Sequence, residues 1–278
     1  LGQPVLELRW ADRHFACLRC ARVACPRRNV RSRLGLTRRE GKQAITEDRN
    51  EVLALAARIS RWLIALALAL VTLWATAILV YAVTPAVSTL MLARWATFKP
   101  VDRDWVPLGR ISPHLVAAVV SSEDARYCAH GGVDWTELRS VIDDVMAGGG
   151  ASRGASTITM QTVKNTLLAP WRVSARKAVE IPLALVVDKV WGKRRTIEIY
   201  LNVAEWGEGV FGAQAAARRW FGKDASALSA REAALLAAVL PTPIARRADR
   251  PSRAVAVKAR RVQARARAGD AGLGCLRG

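Results

Sequence analysis

Between positions 62 and 83 the chain reads WLIALALALVTLWATAILVYAV, 22 residues without a charge. At 1.5 Å rise per residue such a helix crosses a hydrocarbon core of about 30 Å. Trp62 and Tyr81 fall near its two ends, where amphipathic rings favour a membrane interface. A buried soluble helix of this length would carry at least one charge, and a cleaved leader has a shorter apolar core of about 7–15 residues. The pattern therefore predicts a single transmembrane helix, entered from a helix starting near Thr46, where Glu47 and Asp48 suit a first turn.

Beyond the span the apolar positions recur at helical spacing, with no long run of period two. Thr84-Pro85 ends the span, 86–96 predicts a helix on the membrane surface, and 99–107 reads as a linker. Ser112-Pro113 gives an N-cap with proline at the first helical position, and the helix that follows delivers Glu123 at its end. Asp134 with Glu137 predicts a second capped helix to about Met146, and Gly148-Gly149-Gly150 opens a mobile loop over 148–155. A helix over 155–168 places Thr157, Gln161 and Lys164 on one face, and Pro170 stops it. Residues 174–191 predict another helix, kinked or started by Pro182. Then come a short helix over 194–203, a Gly-rich loop over 205–209 and a helix over 213–221 capped by Gly222. A last capping box, Ser229 with Glu232, starts a helix ended by Pro241 and Pro243. The tail from Pro251 predicts a basic helix, then disorder.

Charge adds an anionic partner and an orientation. The chain carries 43 Lys/Arg against 23 Asp/Glu, a formal net charge of +20, which suits nucleic acid, anionic lipid or a phosphorylated substrate. Arg58 and Arg61 lie directly before the span, so the positive-inside rule puts the N-terminus in the cytoplasm and the rest outside. Cys17 and Cys20 form a CxxC with Cys25 and His14 nearby, a spacing that fits no standard zinc site and reads as reduced thiols. With Cys128 and Cys275 the count is odd and scattered, so no disulfide framework is expected.

Five blocks in order carry the chemistry: SSEDARYCAHGGVDW from Ser121, GASTITMQTVKN from Gly154, RKAVEIPLAL from Arg176, KRRTIEIYLN from Lys193, and a fifth from VFGAQAAARRWFGK to LSAREAALLAAVLPTP. Together they resemble the peptidoglycan glycosyltransferases of glycosyltransferase family 51, over about half of the chain. The resemblance implies a mainly α, lysozyme-like glycosyltransferase domain behind one transmembrane helix. It divides the chain into a basic cytoplasmic segment 1–61, the span 62–83, a juxtamembrane segment 84–106, the domain 107–250 and a basic tail 251–278. It implies a bacterial inner-membrane enzyme, with its domain in the periplasm, that polymerises lipid II onto a growing glycan and releases undecaprenyl diphosphate with inversion. The remaining length leaves no room for a transpeptidase domain. The partners implied are lipid II, the glycan, the membrane and possible cell-wall synthesis machinery, with no nucleic acid.

By the same resemblance Glu123 is the general base and Glu180 the second carboxylate, orienting cations or a divalent metal. Lys164, Arg176, Gln161, Ser156, Thr157, Asp124 and His130 form the substrate and diphosphate site. No cofactor is required, although Mg or Mn near the diphosphate is compatible with it. Bland readings stand beside these. An exposed Arg176–Glu180 pair is worth only a few tenths of a kcal/mol, Lys164 could be a solvated lysine, His130 a packing residue, and Glu198 and Asn202 framework. The sequence departs from the family pattern at Met160, where Gln is common, and at Tyr127, where Phe is usual. Two other classes compete: a lysozyme-like enzyme that cleaves finished glycan with one Glu, and a non-catalytic basic membrane anchor.

Overall fold

The structure is a computed structural model that describes residues 30–148, 156–168 and 176–276. The CxxC at Cys17 and Cys20, with Cys25 and His14, lies outside these residues, as do the expected loop over 149–155 and the stop at Pro170. The chain divides into two compact units, Leu1–Leu66 and Ala67–Gly278. One helix, α1 (Val30–Val83), enters from the first unit and ends in the second; it starts earlier than the charges at Glu47 and Asp48 suggested. Its stretch Arg49–Val83 has a mean hydropathy of 2.6 in its most apolar window and is long and apolar enough to cross a membrane.

The second unit is a helical domain with two apolar clusters. Trp74, Ala77, Ile78, Tyr81 and Ala82 recur at helical spacing along α1 and pack into one of them. That cluster also takes Met91 of α2 (Thr89–Ala96), Met160 and Val163 of α5 (Ile158–Leu167), and Ala184, Val187 and Trp191 of α6 (Arg176–Val203). The other is built from α3 (Pro113–Glu123), α7 (Ala213–Phe221), α8 (Ala230–Val239) and α9 (Arg253–Ala268), with Trp206 fully buried among them. Between α3 and α5 lies α4 (Trp135–Met146), capped by Asp134, whose carboxylate accepts from the amides of Thr136 and Glu137.

Three short strands complete the domain: β1 (Asp102–Arg103), β2 (Glu205–Gly207) and β3 (Val210–Phe211), in the order β1-β3-β2. Asp102–Arg103 of the expected linker and Glu205–Gly207 of the expected glycine-rich loop are thus sheet. Strands of two or three residues are too short to show alternation. Asn202 pins this edge to α6, its Nδ2 donating to the Val106 carbonyl at 2.9 Å and its Oδ1 accepting from the Val106 amide at 3.0 Å. Glu198 accepts from the Leu108 amide at 2.9 Å.

Three further expectations are corrected. Pro182 does not start α6, which runs through it from Arg176; the break falls at Gly192, between the two helices expected over 174–191 and 194–203, and its φ of 64° is open to glycine without steric cost. The tail after α9 is ordered as a 3₁₀ helix, Asp270–Leu276, whose last carbonyl accepts from Arg194. And the chain does hold a disulfide: Cys128 is bonded to Cys275, tying that tail to the first motif across 147 residues of sequence. Spacing gave no sign of this pair because only packing brings the two segments together.

Candidate functional site

Motif one and motif two are held against each other by three bonds. Asp124, the C-cap of α3, is buried; its Oδ2 accepts from the Ile158 amide at 3.0 Å and its Oδ1 pairs with His130 Nε2 at 2.9 Å. Thr157 is the N-cap of α5. Its hydroxyl accepts from the Met160 amide and donates to the Gly132 carbonyl at 2.6 Å. Gly132 has a φ of 86°, and a Cβ there would stand 2.5 Å from the Ala184 carbonyl oxygen, so only glycine lets the two motifs meet α6. The third bond is functional in kind: Gln161 Nε2 donates to Glu123 Oε2 at 3.2 Å.

Of the expected substrate-binding residues, Asp124, Thr157 and His130 therefore sit in the frame of the site. Asp124 and Thr157 have their polar atoms engaged by the protein. A loop end that must present Glu123 to a substrate needs such a frame, because an unpaired buried carboxylate or hydroxyl costs about 1–3 kcal/mol. Glu123 itself is half-buried at the last position of α3, with Ser122 Oγ 3.3 Å from its Oε1.

The cations gather on the neighbouring helices. Arg176 Nε stands 2.6 Å from Glu180 Oε1, and Lys177 Nζ 2.8 Å from Glu180 Oε2. Glu180 is 1% exposed, so it is a buried anion clamped between two cations rather than a surface pair. Lys177 also donates to Ser156 Oγ at 2.7 Å, bringing the serine of motif two into the group. Lys164 lies in the electrostatic field of Arg176, Glu180, Lys177 and Glu123. Burial, and then the Arg176 charge, hold its ammonium below the usual lysine range, while Glu180 and Glu123 oppose the drop.

Each oxygen of Glu180, the carboxylate expected to orient cations or a metal, holds one cation here. Among the described residues no three His, Cys, Asp or Glu side chains converge as a ligand set.

Sequence reasoning missed three residues here. Lys177 follows Arg176 and reaches Glu180 from i to i+3, a spacing that could have flagged it. Tyr200, in the fourth block, donates its hydroxyl to Gln161 Oε1 at 3.2 Å. Lys258 of α9 lies in the field of Glu123, its ammonium lowered first by burial. The two departures from the family pattern are absorbed locally. Met160 is buried in the apolar cluster, while its neighbour Gln161 reaches Glu123. The Tyr127 hydroxyl donates to the Lys193 carbonyl at 2.9 Å.

The site thus combines a half-buried carboxylate held by an amide with a lysine that feels both it and an Arg–Lys pair, groups able to take a proton and to meet an anion. Comparison with known proteins gives the family. Residues 91–267, α9 included, match the family described as Transglycosylase. The chain is 48% identical over 215 residues to a biosynthetic peptidoglycan transglycosylase of Agrobacterium fabrum, covering 74% of this chain and 95% of that protein. It is 51% identical over 214 residues to a protein of the same name from Rhodopseudomonas palustris (77% and 90% covered). It is 53% identical over 184 residues to one from Rhodospirillum centenum (66% and 79% covered). The chain belongs to the transglycosylase family.

Proposed function

We propose that this protein is a peptidoglycan glycosyltransferase that polymerises lipid II into glycan strands. The acceptor 4-hydroxyl gives its proton to Glu123 and attacks C1 of the growing chain. The bond from C1 to the diphosphate oxygen breaks, configuration inverts, and undecaprenyl diphosphate leaves. Diphosphate is already a good leaving group, so no strong acid is needed. Cations are needed where its charge develops. Lys164, Arg176 and Lys177 supply them, with Arg suited to bidentate phosphate contact, and Glu180 holds two of the three in place. The reaction requires no cofactor held by this chain.

The observation that carries this reading is that motif two touches both groups: Gln161 bonds Glu123, and Ser156 accepts from Lys177 of the Arg176–Lys177–Glu180 cluster. A base within reach of the anion site is what a single displacement needs. A glycan-cleaving lysozyme-like enzyme has no use for a diphosphate site, and the biosynthetic names of the relatives also speak against it. The apolar helix anchors the domain to the inner membrane, with Arg58 and Arg61 on the cytoplasmic side and the domain outside, where lipid II is presented.

The test is direct. Purified protein given lipid II should make glycan polymer, moenomycin should block it, and Glu123→Gln should lower the rate about 100- to 10,000-fold with the fold intact. Release of anhydro-sugars from finished peptidoglycan without polymer, or full activity of Glu123→Gln, would overturn the reading.

A further inference from the structure

Glu123 is held by a side chain that is itself held. Gln161 Nε2 reaches Glu123 Oε2 at 3.2 Å, and Gln161 Oε1 accepts from the Tyr200 hydroxyl at 3.2 Å. The polarity of this chain is forced. An ionised carboxylate only accepts, so the amide must turn its NH₂ to Glu123 and its oxygen away. That oxygen only accepts as well, so the phenol must donate. Tyr200 is suited to do so: its ring is 2% exposed in the larger core cluster, and burial, then Glu123 and Asp124, push its hydroxyl well above the usual tyrosine range, so it keeps its proton. Two residues on, Asn202 bonds this stretch of α6 to the Val106 backbone, which holds the helix carrying the phenol in place.

We propose that Tyr200 is a positioning residue for the transfer reaction: its hydroxyl anchors the Gln161 amide oxygen, which holds the amide NH₂ on Glu123 Oε2 and leaves Oε1, where Ser122 Oγ stands 3.3 Å away, to take the proton of the sugar hydroxyl. Without the phenol the amide oxygen loses its anchor, and the NH₂ can swing off the carboxylate. That loses a hydrogen-bond donor to the charged form of the carboxylate. The other groups facing Glu123 are Lys164 on α5 and Lys258 on α9, with Asp124 beside it on the chain; none of them depends on the phenol. The proposal rests on Glu123 being the base.

The experiment uses the full chain in detergent with lipid II. Tyr200→Phe keeps the ring and removes one hydroxyl. Its kcat should fall about five- to tenfold, the worth of one neutral hydrogen bond, with KM changed less than about twofold. The acid limb of its pH–rate profile should move to higher pH. Gln161→Ala should move the same limb the same way, and the double variant should move it no further. A Tyr200→Phe protein with wild-type kcat and acid limb overturns the proposal, as does a double variant in which the two effects add. If Tyr200→Phe does not fold, Gln161→Ala carries the test alone, and an unmoved acid limb overturns the proposal. Wild-type and Glu123→Gln proteins run beside these separate the two ideas: a wild type that makes no polymer, or an active Glu123→Gln, refutes the assigned function itself.

Discussion

The indole Nε1 of Trp191 donates to the backbone carbonyl of Ile78 at 2.7 Å, so the helix that carries Glu180 is bonded to the helix that is apolar enough to span a membrane. Trp74 makes the matching contact, donating to the Leu167 carbonyl at 3.1 Å, and Arg195 caps the end of α1 at Tyr81 and Thr84. The last turns of α1 are therefore part of the domain's core. A chain shortened to begin at Thr84 strips Trp74, Ile78 and Tyr81 from the second apolar cluster and should lose about 3–5 kcal/mol, the scale of one deleted large core side chain or more. A chain beginning at Ala67 keeps them and should melt within a few degrees of the full protein. Thermal unfolding in detergent distinguishes the two. Equal melting temperatures would show that α1 is only a tether.

Lys164 gives a pH prediction with opposite signs in two variants. Its ammonium is lowered by burial, Arg176 and Lys177 and raised by Glu180 and Glu123. Only the charged form can meet the diphosphate, so activity is lost as pH rises through the depressed pKa. Glu180→Gln removes a raising charge and should shift the alkaline limb of kcat/KM to lower pH. Arg176→Gln removes a lowering charge and should shift the limb to higher pH, even though its plateau falls on the order of 100-fold from the lost phosphate contact. Limbs that moved together in the two variants would mean that Lys164 is not the group titrating.

What could be read from the chain was what local chemistry decides. Ser112, Asp134 and Ser229 cap helices as their neighbours dictate, because a cap satisfies amides two or three residues away. The span is legible because lipid tolerates no charge over its thickness. Glu123, Gln161, Lys164, Arg176 and Glu180 were legible as members of ordered motifs, and the fold does bring them together. Their division of labour was not. Thr157 and Asp124 carry polar side chains of the right kind, but their bonds to Gly132 and Ile158 are set by packing between distant segments. The same holds for Tyr200, whose partner Gln161 lies 39 residues earlier, and for the strands, which are too brief to show a period.

Met160 stands where the family commonly has Gln, yet it is 1% exposed among Ile78, Val163 and Ala184. A polar side chain there has little to pair with, and burying an amide without partners costs about 1–3 kcal/mol. Met160→Gln should therefore lower the melting temperature and leave kcat and KM near wild type, since Gln161 already occupies the place beside Glu123. A rise in kcat on this substitution would show instead that position 160 reaches the substrate.

The Cys128–Cys275 bond closes a long loop, joining the 3₁₀ turn Tyr127–Ala129 of the first motif to the last described turn of the chain. The Cys275 amide also lies 3.3 Å from Cys128 Sγ, so the tail is seated on the turn as well as bonded to it. A cross-link of 147 residues' separation restricts the unfolded chain and is worth about 2–5 kcal/mol. Such bonds persist on the oxidising side of the membrane, the side proposed for this domain. Reduction, or Cys128→Ser, should lower the melting temperature by several degrees and free the tail to early proteolysis after α9. Glu123, held by Gln161 and the α3 core, should keep its activity at low temperature. Alkylation of the protein isolated from cells without reductant, followed by mass measurement, should find Cys128 and Cys275 unmodified; labelling of both would place the domain in a reducing compartment and remove the argument for its side of the membrane.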